Sequence, residues 1–267
     1  MRYLEGPRPR LFAHRGGARE APENTIAAFA NGLAAGADRL EMDVHATADG
    51  EVVVIHDATV DRTTDGSGRV AELSLAALRR LDAGHRFRDE TGAAPFRGRG
   101  LRIPTLAEVL DAFPGVPLNI EIKQREPAIE RAVLDLLERR GALGSVLLAA
   151  EDGAIMERIR SCSRGVLTGF STEDVAAFAR AWEDGRLDRY EPPGAALQVP
   201  PDFLGRPLVT AELVERAHRL GLEVHVWTVD EEAEIARLLG LGVDGIMTDL
   251  PTRAARALGR APRAAGS

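Results

Sequence analysis

The sequence predicts a closed (β/α)8 barrel of the TIM type, carrying a small inserted subdomain after its second strand. Three observations predict it. Short apolar segments alternate with helix-patterned segments through almost the whole chain, which indicates a parallel sheet. Nine strand candidates reduce to eight, because one is joined to its predecessor by a link too short for a parallel crossover. The chain has 267 residues, 45% of them hydrophobic and 28% charged, which suits one barrel of roughly 250 residues. A doubly wound open sheet is the alternative architecture.

Taken in order, strands are expected at residues 11–14, 40–44, 52–56, 118–123, 146–149, 165–169, 196–199, 224–229 and 245–248. Helical patterns fall at 25–35, 106–112, 128–139, 153–159, 172–181, 211–220 and 231–239. Between Val44 and Val52 the chain reads His-Ala-Thr-Ala-Asp-Gly-Glu. Asp49-Gly50 is a hairpin signal, so the third strand folds back antiparallel on the second. That return brings His56 to the level of Glu41 and Asp43. Residues 58–102 break the rhythm with Gly, Asp, Thr and Arg, and hold only Phe87 and Phe96 as aromatics. A connection this long reads as an inserted subdomain, placed to cap the active-site face. The barrel domain is expected over 9–255, followed by a flexible tail at 256–267.

The net charge of −7 excludes a general nucleic-acid footprint. An anionic ligand therefore needs a local positive site. No run reaches the roughly 18 apolar residues of a membrane span, and the amino-terminal stretch lacks the apolar core of a signal peptide. The expectation is a cytoplasmic protein without stable membrane insertion. A single cysteine, Cys162, rules out an intramolecular disulfide, and its surroundings give no sign of a catalytic thiol. Of 34 basic residues only Lys123 is lysine. A position that keeps a compact ammonium where arginine is otherwise universal either needs a point charge or survives by chance.

Strand side chains alternate, so residues two apart share a face. Glu41 and Asp43 make one such row; Asn119, Glu121 and Lys123 make another. Carboxylates and an ammonium inside apolar strands are costly unless paired or metal-bound. The rows read as a site for a hard divalent cation or as a buried Lys-carboxylate network. His14 ends the first strand and leads into Arg15-Gly16-Gly17, where arginine suits phosphate and glycine permits close backbone approach to a ligand. His56 ends the hairpin strand. Two imidazoles at strand ends beside carboxylates suit general acid–base work near neutral pH.

The other histidines have weaker claims: His45 turns away or lies in the hairpin, His218 fits a helix surface, and His85 lies in the insertion. His225 and Trp227 share a strand face. If that face is inward, Trp227 is either an apolar wall for substrate or core packing.

Read together, these residues resemble the glycerophosphodiester phosphodiesterase family. The resemblance rests on His14-Arg15-Gly16, Pro22-Glu23-Asn24-Thr25, Glu41-Met42-Asp43-Val44, Ile55-His56-Asp57, Pro104-Thr105-Leu106, Asn119-Ile120-Glu121-Ile122-Lys123, Val226-Trp227-Thr228-Val229 and Asp244-Gly245-Ile246-Met247-Thr248-Asp249. Each piece is weak alone; their order across nearly the whole chain is specific. The resemblance implies a barrel with an insertion after the second strand. It implies one divalent cation, Mg²⁺ or Ca²⁺, on Glu41, Asp43 and Glu121. It implies His14 and His56 as the acid–base pair, with Arg15 and Lys123 stabilising the phosphate, and Glu23 and Asn24 shaping the first loop, Asn24 as a helix cap.

The implied reaction is hydrolysis of a small-molecule glycerophosphodiester to glycerol 3-phosphate and an alcohol, with water or the neighbouring glycerol hydroxyl as nucleophile. Two rivals stand beside it. A lysophospholipase D-type enzyme needs an apolar cleft, walled by the insertion and Trp227; the arginine-rich insertion favours a water-soluble substrate instead. A non-catalytic phosphate-ester-binding barrel predicts loss of a site residue, and none is missing. The sequence sets no oligomeric state.

Overall fold

The computed structural model describes residues 2–162 and 164–261. Its elements run β1 (Arg10–Ala13), α1 (Ile26–Ala35), β2 (Arg39–Ala46), β3 (Val52–Val54), α2 (Leu75–Leu78), α3 (Leu106–Ala112), β4 (Leu118–Ile122), α4 (Glu130–Arg139), β5 (Val146–Ala149), α5 (Gly153–Ser161), β6 (Leu167–Thr168), α6 (Thr172–Glu183), β7 (Ala196–Val199), β8 (Asp202–Phe203), β9 (Arg206–Pro207), α7 (Ala211–Arg219), β10 (Glu223–Val226), α8 (Glu232–Gly240), β11 (Gly245–Thr248) and α9 (Pro251–Ala257). Every strand and helix expected from the sequence is present; the hairpin β8–β9 and the helices α2 and α9 are additions.

Eight parallel strands lie in the order β6-β5-β4-β2-β1-β11-β10-β7. A parallel bridge from Gly169 to Ala196 brings the two ends together into a barrel. The strands are buried on both faces, as a parallel sheet sheathed in helices must be. A large apolar core lies between strands and helices. A second cluster, with Tyr3, Phe12, Leu147, Ala196 and Met247, fills the barrel itself. Tyr3 is wholly buried and donates its hydroxyl to Asn119 Oδ1 at 3.2 Å. At the amino ends, Arg10 Nη2 contacts Glu223 at 2.5 Å inside this interior.

Local chemistry sets the helix starts. Thr25, Thr105, Asp152, Ser171 and Thr210 each cap a helix through their side-chain oxygen, satisfying a backbone N–H that lacks an intrahelical partner. The cap of α1 is therefore Thr25, not Asn24, whose φ of 57° turns its amide elsewhere.

β3 pairs antiparallel with β2, matching Val44 to Val54 and Ala46 to Val52. It ends at Val54, two residues before the expected His56, although the Ile55 amide still donates to Asp43 O at 2.9 Å in the same antiparallel register. From there to α3 the chain holds only a short 3-10 turn and α2. This stretch has its own small core, in which Val60, Val70, Leu78 and Ala83 pack on Val53 and Ile55 of the hairpin strand. Of the tail expected at 256–267, Arg256 and Ala257 complete α9 and Arg260 bonds Asp38 and Pro9 O; residues 262–267 lie outside the described residues. No described helix is long and apolar enough to cross a membrane.

Candidate active site

A cavity of about 160 Å³ opens at the carboxyl ends of the barrel strands, lined by His14, Arg15, Glu41, His56, Glu121 and Lys123 and walled by Trp227. The register explains the gathering. β2 and β4 pair Glu41 with Asn119 and Asp43 with Glu121, so the two rows of polar side chains lie side by side. Oxygen atoms of Glu41, Asp43 and Glu121 come within 4.8 Å of one another.

The imidazoles are held in the same way. His14 Nδ1 lies 2.7 Å from Asp249 Oδ1, and His56 Nδ1 lies 2.7 Å from Asp57 Oδ1. A carboxylate on Nδ1 fixes the ring's orientation and directs the other nitrogen outward. For His14 that nitrogen, Nε2, lies 3.8 Å from Glu41. His45 is buried beneath, and its Nε2 stands 3.1 Å from the carbonyl of His56. Arg62 joins Asp57 to Glu23 at 2.6 Å on each side, tying the insertion to the first loop.

The first loop is bent to serve the carboxylates. Arg15 has φ 51°, a conformation that costs a non-glycine residue free energy and collects at functional sites. Its backbone N–H donates to Glu41 Oε2 at 2.9 Å, while its Nε lies 3.3 Å from Asp43 and is buried without a hydrogen bond. Asn24 Nδ2 donates to Asp43 at 3.0 Å. Gly16 and Gly17 were expected to bring backbone to a ligand. Both also pack closely against the protein: a Cβ on Gly16 would meet Ala28 of α1 at 2.7 Å, and one on Gly17 would meet Pro251 at 2.7 Å.

Concentrating acids under cover has an electrostatic cost. Burial, and next the adjacent Asp43, push the Glu41 carboxyl up to about 8. Burial also raises Glu121, against the pull of Lys123. Lys123 Nζ stands 2.7 Å from Glu121 and 3.6 Å from Asp43. Burial disfavours its charge, but those carboxylates more than offset this and hold the ammonium above its usual range. His14 is likewise opposed by burial and raised overall by Glu41 and Asp249.

A divalent cation fits this donor set. Three carboxylates supply the hard oxygens that Mg²⁺ and Ca²⁺ prefer. Glu121 Oε1 is buried and, despite the nearby ammonium, accepts no well-directed hydrogen bond. The Lys123 ammonium 2.7 Å away is its electrostatic partner, and a bound cation would add the direct oxygen ligation that a carboxylate triad offers.

All eight residues singled out from sequence — His14, Arg15, Glu41, Asp43, His56, Glu121, Lys123 and Trp227 — meet at this mouth. Trp227 is both wall and packing, since it touches the barrel-interior cluster and the cavity. The inward strand face also carries His225, wholly buried. Asp249, Asp57 and His45 were missed as positioning groups. Asp249 and Asp57 stood within the recognised motifs, and for Asp57 its place directly after the strand-end His56 was the available signal; nothing local linked Asp249 to His14 or pointed to His45. Asn119 and Gln198 form the polar floor, 2.9 Å apart. The insertion contributes no lining residue to the cavity; it reaches the site through Arg62.

Fold and site together define a (β/α)8 barrel with an acidic, imidazole-bearing mouth. The glycerophosphoryl diester phosphodiesterase family matches residues 14–253, and the chain belongs to that family. It is 33% identical over 247 residues to a glycerophosphodiester phosphodiesterase of Caldanaerobacter subterraneus, covering 90% of this chain and 94% of that protein. It is 34% identical over 253 residues to one from Bacillus altitudinis, covering 92% and 97%. A phosphodiesterase from Oleispira antarctica, solved with the product sn-glycerol-3-phosphate, superposes with a TM-score of 0.78 at 27% identity, covering 94% of this chain and 97% of that one.

Proposed function

We propose that this protein hydrolyses glycerophosphodiesters to glycerol 3-phosphate and an alcohol. The observation that carries the reading is the pairing of two carboxylate-anchored imidazoles, 2.7 Å contacts in both cases, on one cavity with the acidic triad. Bound at Glu41, Asp43 and Glu121, an Mg²⁺ or Ca²⁺ ion supplies Lewis acidity toward a phosphoryl oxygen. Arg15 and Lys123 place positive charge where negative charge grows on the phosphoryl group.

His14 and His56 handle the protons. One takes a proton from the attacking oxygen as that oxygen bonds to phosphorus. The bond from phosphorus to the alcohol oxygen breaks, and the other imidazole delivers a proton to that departing oxygen. With water as nucleophile, hydroxide adds to phosphorus and hydrogen to the alcohol in one turnover. With the neighbouring glycerol hydroxyl as nucleophile, a cyclic phosphate forms first and water opens it, giving the same products. Trp227 supplies an apolar wall for the carbon skeleton. The cytoplasmic location belongs to the same reading and is supported by a lone, exposed, unpaired cysteine; cell fractionation checks it.

The direct test is incubation of the purified protein with glycerophosphocholine, glycerophosphoethanolamine and glycerophosphoglycerol, with Mg²⁺ or Ca²⁺ present, and detection of glycerol 3-phosphate. Release that stops with chelator is the expected result. No release from any of the three with either ion refutes the activity.

A further inference from the structure

A second cavity, of about 400 Å³, runs from the catalytic mouth between α6 and the β8–β9 hairpin. It shares Phe170, Gln198, Trp227 and Glu151 with the catalytic cavity, so the two adjoin. Its walls beyond that junction are apolar: Val175 and Ala179 from α6, Val199 from β7, and Phe203 and Leu208 around the hairpin. The mouth is polar, whereas this arm offers no charged side chain past Glu151.

The hairpin strengthens the case. Phe203 is 64% exposed and Leu204 87% exposed, the large hydrophobic side chains that stand in solvent among the described residues. Phe203 ends β8 and Leu204 opens the two-residue turn that follows, with φ 52° at Leu204 and φ 73° at Gly205. Asn or Gly is the residue suited to the first of those positions. A leucine there is strained in backbone and exposed in side chain, and neither condition contributes to the fold.

The geometry points to this arm as the subsite for an apolar alcohol half of the diester, with Val175, Ala179, Phe203 and Leu208 setting that preference. This rests on the hydrolase reading above and names its substrate class. The glycerol half carries hydroxyls that lose hydrogen bonds in an apolar wall. It stays in the polar mouth over Asn119 and Gln198, and the other substituent on phosphorus follows the apolar arm that adjoins that mouth. The protein is then selective for glycerophosphate esters of hydrocarbon alcohols over those of small polar or charged ones.

The test compares kcat/KM for glycerophosphocholine with that for the glycerol 3-phosphate esters of n-butanol, n-hexanol and n-octanol, each held monomeric. The expected result is a rise of about fourfold for each methylene taken into the arm. Ala179→Glu, on the exposed face of α6, abolishes that rise, the octyl ester falling to the kcat/KM of the butyl ester while the melting temperature stays unchanged. Should that variant fail to fold, Phe203→Ser, at the solvent-exposed rim of the arm, carries the same test with a smaller loss on the octyl ester. A kcat/KM independent of chain length, or a rise that persists in both variants, overturns the subsite while leaving the hydrolase reading intact. Failure to cleave any of these esters overturns the hydrolase reading and this one with it.

Discussion

Nδ1 of His14 stands 2.7 Å from Oδ1 of Asp249, a residue 235 positions further along the chain. The contact joins the carboxyl ends of β1 and β11, which are paired in register from Arg10 and Gly245 to Ala13 and Thr248. It gives His14 the same kind of support that His56 receives from its neighbour Asp57. The two imidazoles are thus built as equivalents from unlike sequence contexts.

His14→Ala or His56→Ala is expected to lower kcat on glycerophosphocholine by about 10²-fold or more, the ordinary contribution of a positioned acid or base. Asp249→Asn should lower kcat by at least about tenfold with KM little changed, because the carboxylate holds a ring rather than the substrate. Steady-state kinetics decides, and near-normal turnover in both alanine variants removes the pair from the mechanism.

The acidic triad predicts a stability effect separable from activity. A cation at a hundredfold excess over its Kd should add about 2.7 kcal/mol to unfolding free energy and raise the melting temperature by several degrees. Glu121→Gln should lose most of that increment. Differential scanning calorimetry with and without Mg²⁺ and Ca²⁺ reads this directly; equal shifts in both proteins would place the ion elsewhere.

Lys123→Arg conserves charge but replaces a compact ammonium with a wide fork. The ammonium lies 2.7 Å from Glu121 and 3.6 Å from Asp43, a space the guanidinium does not fill in the same way. A fall in kcat/KM of about tenfold or more is expected, with the melting temperature little affected. Undiminished kcat/KM would mean that the lone lysine has no special role.

Acid sensitivity should trace to the opposite end of the barrel. Burial alone would push Glu223 up, but hydrogen bonds from His225 and Arg10 hold it at about 2. Its folded value lies below the unfolded value of about 4.3. Its stabilising contribution is therefore complete above about pH 4.3 and is lost as pH falls toward 2. Glu223→Gln should cost about 3–5 kcal/mol at neutral pH, since Arg10 is left buried without its counter-charge. It should also flatten stability across that acid window. Denaturant unfolding at stepped pH checks both signs, and an acid limb as steep as that of the parent protein would assign the sensitivity to other groups.

Much of this molecule was readable before any coordinates. Periodicity placed strands at 146–149, 196–199 and 245–248, matching β5, β7 and β11 residue for residue. Alternation alone put Glu41 beside Asp43, and Asn119 in line with Glu121, because side-chain direction along a strand follows from local backbone geometry. The motif order carried the family, and with it the residues that meet at the mouth.

What the sequence determined by itself was the succession of elements and which side chains share a face. Tertiary structure alone decided which faces meet. Asp249 reaches His14, His45 holds the His56 carbonyl, and Gly16 packs on α1. The apolar arm between α6 and the hairpin was likewise invisible, since its walls come from segments that no short pattern connects. The physical reason is that strand order, register and barrel closure set distances between residues far apart in sequence, whereas hydrophobic period and turn chemistry act only over neighbours.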